Sequence, residues 1–379
     1  MNWFIKKFKE YVIQFTRQIG WYWSVFFVSK DNTNFQEFGR KDSHSFMGYY
    51  DVDLVFGDSI FFHEVDNIHS TQLFPKRGKI VKANLISGDI KEVTSTRAIN
   101  WQLGSRLQKT GNSCILFNDI NMHNQLISRE LNFKSNKITE YPFPLWAILP
   151  KKNYGMIIDF SVLGRLRPGY GYDADISEIY KNKFTIASLS DHSTIFSIST
   201  KDIEKNLGLD TGGYFNHAIY SPNENYVLTT YNYNTSSSRK VSPIIIDLES
   251  MLFTVPKIDG IFSHPTFIDD NTLLFFDGEG YCKYQFKEDR KEYIYKTKND
   301  GHPTPSDKNS FITDTYPDRF GRMRIYRFHK NENALIEIIN YPSYKSDFRC
   351  DLHPRLIGDM VFFDVPKKDG RKVGLHHIN

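Results

Sequence analysis

Over the first 20 residues, apolar side chains recur every three or four positions, which is the spacing of one face of an α-helix. These apolar positions are Ile5, Phe8, Val12, Phe15 and Ile19. Lysine and arginine residues stand between them, so the segment lacks the uninterrupted apolar run of a signal peptide. The pattern predicts an amphipathic helix over residues 1–20. Two locations for this helix stay open, docked on the rest of the protein or lying on the inner membrane surface.

Beyond residue 40 the helical spacing disappears, and short β-prone runs alternate with turn residues. Runs such as SCILFND and QLISRELNFKSNKITEY have the form strand, turn, strand, with Asn, Gly, Asp or Ser at the breaks. The 22 tyrosines and 31 phenylalanines of the chain also favour strands over helices. The pattern therefore predicts an all-β protein, either a sandwich or a β-propeller.

A repeated motif decides between these two architectures. It consists of a histidine, then proline or Ser-Pro, then a turn and an apolar strand. The four histidines are His217, His264, His302 and His353, separated by 47, 38 and 51 residues. These intervals lie close to the period of about 40–50 residues that is typical of propeller blades. Three looser units begin at His44, Asn100 and Trp146. We therefore predict a seven-bladed β-propeller over residues 21–379.

Proline disfavours the α conformation in the residue before it, so His264, His302 and His353 are expected in extended chain. Because proline is tolerated at the first residue of a strand, each histidine is expected where an innermost strand begins, beside the central channel. The last unit contains only about three strands. We expect residues 21–28 to supply its missing strand and close the ring.

Four imidazoles at equivalent positions can meet in the channel and bind a metal ion. A site of imidazoles without thiolates suits Mn, Fe, Ni, Cu or Zn better than Ca or Mg. The alternative is that each histidine hydrogen-bonds only the turn of its own blade. Four histidines in register favour the shared site, and we predict a divalent transition metal, with manganese as first choice.

The composition of the chain limits the classes of partner that it is expected to bind. The formal net charge is +4 and no dense run of Lys and Arg occurs, which speaks against a nucleic-acid-binding protein and suits a modestly anionic ligand. The three cysteines include no CxxC motif, which argues against a disulfide framework. We therefore predict a cytoplasmic protein, peripheral to the inner membrane if the N-terminal helix binds there. Its expected partner is an acidic oligosaccharide or polysaccharide.

Several arginines and tyrosines stand in loop motifs that suit ligand binding. A guanidinium fork matches a carboxylate, and tyrosine rings can stack on sugars or offer phenols. The candidates are Arg106, Arg165, Arg167, Arg349, Tyr49, Tyr50, Tyr170 and Tyr172. For the arginines the alternative is salt bridges between blades. For Asp314 and Asp351 we expect a structural role at turn amides.

At these positions the sequence resembles bacterial TolB/WD40-like propeller proteins that are related to oligogalacturonate lyase and encoded with capsule or O-antigen genes. The motifs that carry the resemblance are FMGYYD (46–51), NWQLGSRLQ (100–108), DFSVLGRLRPGYGY (159–172), NHAIYSPNE (216–224), FSHPTF (262–267), DGHPTPSDKNSFITDTYPD (300–318) and RCDLHPRLIGD (349–359). They span nearly the whole chain after residue 40. The chain departs from the family pattern at Ser105 and Arg106, which replace part of a QQG run in the family.

The resemblance implies a seven-bladed propeller and, through the more distant kinship with the lyases, a metal held by channel histidines. It assigns the base to His217 and the metal to His264, His302 and His353. The remaining predicted catalytic residues are Arg106, Arg165, Arg167, Arg349, Tyr170 and Tyr172. The predicted substrate-binding residues are His44, Tyr49, Tyr50, Trp101 and Gln102.

These assignments predict a polysaccharide lyase that performs β-elimination on a uronic-acid-containing oligosaccharide or surface polysaccharide. A metal and an arginine neutralise the C6 carboxylate, so that His217 can remove the C5 proton. Two alternatives stay open. One is a non-catalytic glycan-binding or scaffold propeller in polysaccharide assembly. The other is a hydrolase or transferase that uses Asp314 and Asp351 about 5–10 Å apart.

Overall fold

The computed structural model describes residues 35–49, 53–66, 75–167, 169–210, 212–235, 238–343, 350–368 and 370–378. The predicted helix over 1–20, the predicted strand over 21–28, Tyr50 and Arg349 all lie outside these ranges. Within them, no helix combines the length and the apolar character needed to cross a membrane.

The described residues form 28 strands and two short α-helices. The first nine strands are β1 (Gln36–Phe38), β2 (Ser43–Phe46), β3 (Ser59–Asp66), β4 (Gly78–Asn84), β5 (Ile90–Thr96), β6 (Gln108–Gly111), β7 (Cys114–Ile120), β8 (Leu126–Asn132) and β9 (Lys137–Tyr141). The next eight are β10 (Ala147–Leu149), β11 (Tyr154–Ile158), β12 (Lys183–Ser188), β13 (Thr194–Ser199), β14 (Gly213–Tyr220), β15 (Tyr226–Asn234), β16 (Arg239–Asp247) and β17 (Phe253–Thr254).

The remaining strands are β18 (Ser263–Asp269), β19 (Thr272–Phe276), β20 (Gly280–Gln285), β21 (Arg290–Lys296), β22 (Thr304–Asp307), β23 (Ser310–Asp314), β24 (Arg322–His329), β25 (Ala334–Pro342), β26 (Arg355–Ile357), β27 (Met360–Lys367) and β28 (Gly370–His377). Helix α1 (Phe160–Leu166) follows β11, and helix α2 (Thr200–Leu207) follows β13.

Five sheets have four strands each, and each is a simple up-and-down meander in chain order, starting at β6, β10, β14, β18 and β22. A sixth sheet has eight strands, in the order β26-β27-β28-β2-β3-β4-β5, with β1 also paired to β28. Residues from the first strands of several sheets line one shared cavity. The sheets therefore surround a common axis, as in a propeller.

The eight-stranded sheet joins the two ends of the described chain. Strand β1 pairs antiparallel with β28, with Phe38 opposite Val373. Strand β2 meets β28 in parallel at a single residue pair, His44 and Arg371. Among the described residues, the N-terminal segment that pairs with β28 is therefore Gln36–Phe38, whereas the expected segment 21–28 lies outside the described ranges.

Apolar side chains on both faces of the strands pack the sheets against one another. Strand β19 (TLLFF) is buried throughout. Because successive side chains point to opposite faces, Leu273 and Phe275 pack in one apolar cluster with Leu228 of the preceding sheet. Leu274 and Phe276 pack in another cluster with residues of the following sheet. Continuous apolar runs, rather than alternating ones, are thus the sequence signature of these strands.

Candidate functional site

Two of the four repeated histidines lie in irregular parts of innermost strands. The register between β14 and β15 shifts between Phe215 and Ala218, which encloses His217. The register between β18 and β19 shifts between Ser263 and Thr266, which encloses His264. A β-bulge takes a residue out of the hydrogen-bond ladder and re-aims its side chain, so these irregularities turn the two histidines out of their sheets.

His264 and His353 have left-handed backbone conformations, with φ of 48° and 44°. The prediction that proline holds them in extended chain is therefore wrong for these two residues. Such a conformation is strained for a residue other than glycine and persists only where surrounding contacts enforce it. One such contact is the backbone N–H of His353, which donates to Asp314 Oδ2 at 2.9 Å.

The four repeated histidines gather around the ring of Tyr49. The ring centroid of His302 lies 4.2 Å from that of His264 and 4.4 Å from that of His353. The Tyr49 centroid lies 4.5 Å from His353, with the rings stacked, and 4.8 Å from His302. It lies 5.7 Å from His217 and 6.2 Å from His264. Residues far apart in the chain thus form one aromatic cluster.

The Tyr49 loop is fixed by buried polar contacts. Arg355 Nη2 donates to the carbonyl oxygens of Met47 at 3.2 Å and Gly48 at 2.7 Å. The backbone N–H of Met47 donates to Asp364 Oδ1 at 2.9 Å, and Arg355 forms an ion pair with the same carboxylate. The backbone N–H of Tyr49 donates to the Gln102 carbonyl at 2.7 Å. These bonds hold the Tyr49 ring at the centre of the histidines.

His302 is oriented by a buried carboxylate. Its Nδ1 lies 2.8 Å from Asp314 Oδ1 and 3.0 Å from Oδ2, so Nδ1–H donates and Nε2 is left as the ligand atom. Burial lowers the pKa of His302, but the charge and hydrogen bond of Asp314 outweigh it and raise the pKa above its usual value. The same contact holds the pKa of Asp314 well below its usual range, against the opposing effect of burial.

His302, Asp351 and His353 form a group that suits a metal ion. One ligand atom from each lies within 4.8 Å of the others, and all three residues are buried. His353 Nε2 is buried and has no hydrogen-bond partner among the described residues, which fits an atom reserved for a metal. Burial, and then His302, hold the pKa of His353 well below its usual range, so its ring is in the neutral form that ligates metals.

His264 does not belong to this group of three. Its Nδ1 lies 3.0 Å from Asp300 Oδ1, and its Nε2 lies 3.2 Å from the Tyr316 hydroxyl. Both ring nitrogens therefore have hydrogen-bond partners. The assignment of His264 to the metal stays a prediction, and the geometry favours Asp351 in its place.

A cavity of about 460 Å³ adjoins the histidines, within the range of about 300–1,000 Å³ that is usual for small-molecule sites. His264, His302 and His353 line it, together with Tyr49. Cationic side chains among its lining residues are Arg106, Lys109 and Arg355. Lys109 lies 3.6 Å from Asp53, which also lines the cavity, and Arg355 is paired with Asp364, so these two charges are balanced within the protein. Arg106 is therefore the cation of the lining that suits a small anionic ligand next to the histidine cluster.

Arg106, one of the predicted catalytic residues, is a buried cation in the wall of this cavity. It is only 2% exposed, and its backbone has a φ of 57°. Its Nε donates to the Trp146 carbonyl at 2.8 Å, and its guanidinium lies 4.8 Å above the Trp146 ring. These contacts hold the guanidinium plane in a fixed orientation at the cavity wall.

His217, Tyr170 and Arg167 lie together on another side of Tyr49, and none of the three lines the cavity. The His217 ring lies 6.3 Å from that of Tyr170, and the Arg167 guanidinium lies 4.0 Å above the Tyr170 ring. Burial, and then the charge of Arg167, hold the pKa of His217 well below its usual range. The ring of His217 is therefore neutral, as a proton acceptor must be.

Other predicted site residues have structural surroundings. Arg165 is exposed in the last turn of helix α1. The Tyr172 hydroxyl donates to the Gly104 carbonyl at 3.2 Å, which does not support its predicted role as a proton donor. The ring centroids of His44 and Trp101 lie 5.0 Å apart, and both residues are buried, His44 in the eight-stranded sheet and Trp101 in the neighbouring loop. The backbone N–H of Gln102 donates to the Gly169 carbonyl at 3.1 Å, and its carbonyl accepts from Tyr49. Gln102 therefore links the loop that carries Tyr49 to the loop that carries Gly169.

Two residues of the site, Asp300 and Tyr316, had no functional role in the sequence-based prediction, and Asp351 had one only in the hydrolase or transferase alternative. The signal for Asp351 as a metal ligand is its position two residues before His353. The partnership of Asp300 and Tyr316 with His264 depends on contacts between loops, which no local pattern specifies.

No protein-family model matches this chain. No curated protein sequence matches it either. Solved structures match its fold. An oligogalacturonate lyase in complex with manganese aligns with a TM-score of 0.61 at 10% identity, over 91% of this chain and 96% of that one. An oligogalacturonate lyase from Vibrio parahaemolyticus aligns with a TM-score of 0.60 at 10% identity, over 91% of this chain and 97% of that one.

The β-propeller domain of a trilobed protease from Pyrococcus furiosus aligns with a TM-score of 0.50 at 9% identity, over 89% of this chain and 94% of that one. Likeness at such identities concerns the fold and not the reaction. The described residues therefore form an all-β, propeller-like protein that is similar in fold to oligogalacturonate lyases.

Proposed function

We propose that this protein is a seven-bladed β-propeller that acts as a metal-dependent lyase on a uronic-acid-containing oligosaccharide. The observation that carries the proposal is the buried group His302, Asp351 and His353, which adjoins a cavity with a fixed arginine, Arg106. The fold likeness to an oligogalacturonate lyase in complex with manganese supports the same reaction class.

The eight-stranded sheet supports a count of seven blades. A single parallel residue pair joins β2 to β28, so the sheet divides there into β2–β5 and into β26–β28 with β1. Each part then has four strands, as do the other five sheets. The blade that combines β1 with β26–β28 takes strands from both ends of the described chain, which is a common way to close a propeller ring.

His302, Asp351 and His353 would hold the metal, with Asp314 orienting His302 from behind. Two imidazoles and a carboxylate suit a divalent transition metal such as manganese. Such an ion acts as a Lewis acid that withdraws charge from a bound carboxylate. A three-ligand site also leaves coordination positions for the substrate.

The chain's own groups supply the remaining chemistry. Arg106 binds the uronate carboxylate through its guanidinium fork and stabilises the charge that develops there. His217 and Tyr170 lie outside the lining of the cavity, so the substrate has to extend past Tyr49 to reach them. There His217, neutral at physiological pH, takes the C5 proton. The C5–H electron pair forms the C4–C5 double bond as the C4–O4 bond breaks. Tyr170 gives the leaving oxygen its proton.

The experiment is a turnover assay on the manganese-loaded protein with a panel of oligouronates, which monitors the ultraviolet absorbance of the unsaturated product. We expect product from the wild type, a loss of more than about 100-fold in His217→Ala, and full activity in the surface control His123→Ala. Absence of product from every oligouronate, with metal bound, contradicts the lyase. Binding without turnover then identifies a glycan-binding propeller. The cytoplasmic location and the link to surface polysaccharides stay predictions.

A further inference from the structure

The cavity beside the histidines has a buried end and an exposed end. Arg106 and His302 line it and are buried. Pro150, Tyr220 and Pro222 line the same cavity and are exposed. A ligand whose carboxylate is held at the buried end therefore has its next part against the residues of the exposed end.

Three neighbouring sheets supply an uncharged stretch of the cavity wall. The sheets that start at β10, β14 and β18 contribute lining residues from the ranges 147–150, 218–222 and 265–267. None of the lining residues described in these ranges carries a charge. We call the larger side chains of this stretch the apolar arc, which consists of Ile148, Pro150, Ile219, Tyr220, Pro222 and Phe267.

Buried polar contacts fix the apolar arc between its first two sheets. Glu224 is buried, with a φ of 58°, and its two carboxylate oxygens accept the backbone N–H groups of Lys151 at 3.0 Å and Lys152 at 3.1 Å. Lys151 Nζ donates to the Pro222 carbonyl at 2.9 Å. These bonds join the turn after β10 to the turn after β14, so the spacing of Pro150 and Pro222 is set before any ligand binds.

The turn after β14 is also joined to the third sheet of the arc. The backbone N–H of Asn223 donates to Asp270 Oδ1 at 2.8 Å, and Asn225 Nδ2 donates to Asp270 Oδ2 at 2.7 Å. Asp270 lies in the turn between β18 and β19. One turn thus holds three sheets together at the exposed end of the cavity, and a surface fixed in this way loses little conformational entropy when a ligand binds.

Tyr220 presents an aromatic ring at this end. It is the last residue of β14 and is 36% exposed. Its neighbour Ile219 packs in the apolar cluster shared with the sheet of β18. Because successive side chains of a strand point to opposite faces, Tyr220 lies on the face toward the sheet of β10. No described residue forms a hydrogen bond with its hydroxyl or a ring contact with its side chain.

These surroundings suit a neutral sugar ring. A pyranose has an apolar C–H face, which an exposed aromatic ring removes from water, and hydroxyls at its edge that stay hydrated. A carboxylate on that ring would lose hydration beside the apolar arc without gaining a cation, which is unfavourable. The nearest cation of the exposed end, Lys109, is already balanced by Asp53 at 3.6 Å.

We infer that Tyr220 is a specificity-determining residue that stacks on a neutral sugar joined to the uronate, and that the apolar arc disfavours a second uronate in this place. The substrate class is therefore a mixed oligosaccharide of uronic acid and neutral sugar, rather than a homopolymer of uronic acid. The inference rests on the proposed function for the uronate at the buried end.

The first experiment titrates the manganese-loaded protein, by calorimetry, with galacturonate, digalacturonate and the two disaccharides that join galacturonate to galactose in either order. We expect one mixed disaccharide to bind about tenfold more tightly than galacturonate, because the galactose buries apolar surface on Tyr220. Digalacturonate should stay within about twofold of galacturonate. Digalacturonate that binds as tightly as the better mixed disaccharide overturns the inference.

The second experiment repeats the titrations with variants of Tyr220. Tyr220→Ala should lose the tenfold gain from galactose and still bind galacturonate within about twofold of wild type, a result that damage to the fold would not give. Tyr220→Phe should keep the gain, since it keeps the ring. Met122→Ala, which shortens an exposed apolar side chain outside the cavity lining, is the control and should bind every ligand as wild type does. A gain that persists in Tyr220→Ala overturns the role of the ring.

A third variant tests the effect of charge. Tyr220→Lys removes the ring and places a cation at the exposed end, so digalacturonate should become the tighter ligand by about two- to fivefold. A preference for the mixed disaccharide that survives this change contradicts the inference.

The galacturonate titration separates this inference from the proposed function. If the wild type binds galacturonate and gains nothing from galactose in either order, the inference is wrong and the proposed function stands. If the manganese-loaded wild type binds none of the four saccharides, the proposed function is wrong and the inference falls with it.

Discussion

Asp314 holds His302 by two hydrogen bonds to a single oxygen: Oδ1 lies 2.8 Å from the ring Nδ1 and 2.8 Å from the backbone nitrogen. Its other oxygen accepts the backbone N–H of His353. One buried carboxylate thus positions two residues of the proposed metal group. It fixes both the ring plane of His302 and the strained backbone of His353.

Asp314→Asn should therefore weaken manganese binding by about 10–100-fold, as is usual when the orienting partner of a ligand histidine is lost. Calorimetry on the purified protein measures this change. Asp300→Asn is the matched control, because it alters a carboxylate on the Nδ1 of a histidine outside the metal group, and it should leave the affinity unchanged. Equal losses in the two variants contradict the assignment of ligands.

Without metal, the His302–Asp314 contact should make stability depend on pH. Because the folded-state pKa of His302 is raised, its contribution is fully present below the unfolded value of about 6.5. That contribution is lost as pH rises through the folded-state pKa. In a chelator, the difference in free energy of unfolding between wild type and His302→Asn should be larger at pH 6 than at pH 9. Urea unfolding at the two pH values measures it, and a difference that grows with pH contradicts the prediction.

Tyr49 should matter for metal affinity through its ring rather than its hydroxyl. The ring stacks on His353 and meets His302 edge-on. Because Asp314 already holds the His302 ring, removal of the Tyr49 ring mainly lets the His353 imidazole rotate. We expect Tyr49→Ala to weaken manganese binding about tenfold, and Tyr49→Phe to stay within about twofold of wild type. Calorimetry with both variants decides. Wild-type affinity in Tyr49→Ala shows that the histidines hold their geometry alone.

Arg106→Lys should weaken uronate binding although it keeps the positive charge. The planar guanidinium binds a carboxylate through two parallel hydrogen bonds, which a lysine ammonium cannot reproduce. We expect the dissociation constant of galacturonate on the manganese-loaded protein to rise about tenfold. The exposed Arg165→Lys is the control and should bind as wild type does. An unchanged dissociation constant in Arg106→Lys would mean that Arg106 does not bind the ligand.

Gly104→Ala should destabilise the loop that carries Arg106. A Cβ on Gly104 would lie 2.3 Å from the ring carbon Cε1 of His63, whereas a Cβ on Gly88 would meet nothing within 4 Å. Both glycines have positive φ, so each alanine costs about 1–2 kcal/mol for the backbone alone. Overpacking against His63 should add about 1–3 kcal/mol in Gly104→Ala. Urea unfolding compares the two variants, and equal losses mean that His63 moves aside.

The sequence pattern predicted much of the fold but less of the arrangement of the site. Strand runs, turn residues and the histidine repeat predicted an all-β, propeller-like protein, and the fold likeness to known propellers supports that class. The repeat could not distinguish one histidine from another, because their partners come from other segments. Asp300 stands two residues before His302 in the chain and yet binds His264. Such pairings depend on the packing of neighbouring sheets, and the positive φ of His264 and His353 depends on the same contacts.

The clamp of Arg355 and Asp364 on the backbone of Met47 and Gly48 has a consequence for biosynthesis. Residues more than 300 positions apart must meet before Tyr49 reaches its place among the histidines. A nascent chain that is still short of β27 lacks both Asp364 and the partner strand for β1. The ribosome must therefore translate past β28 before the ring closes and the Tyr49 loop is held, and products that end before β27 lack the closed ring.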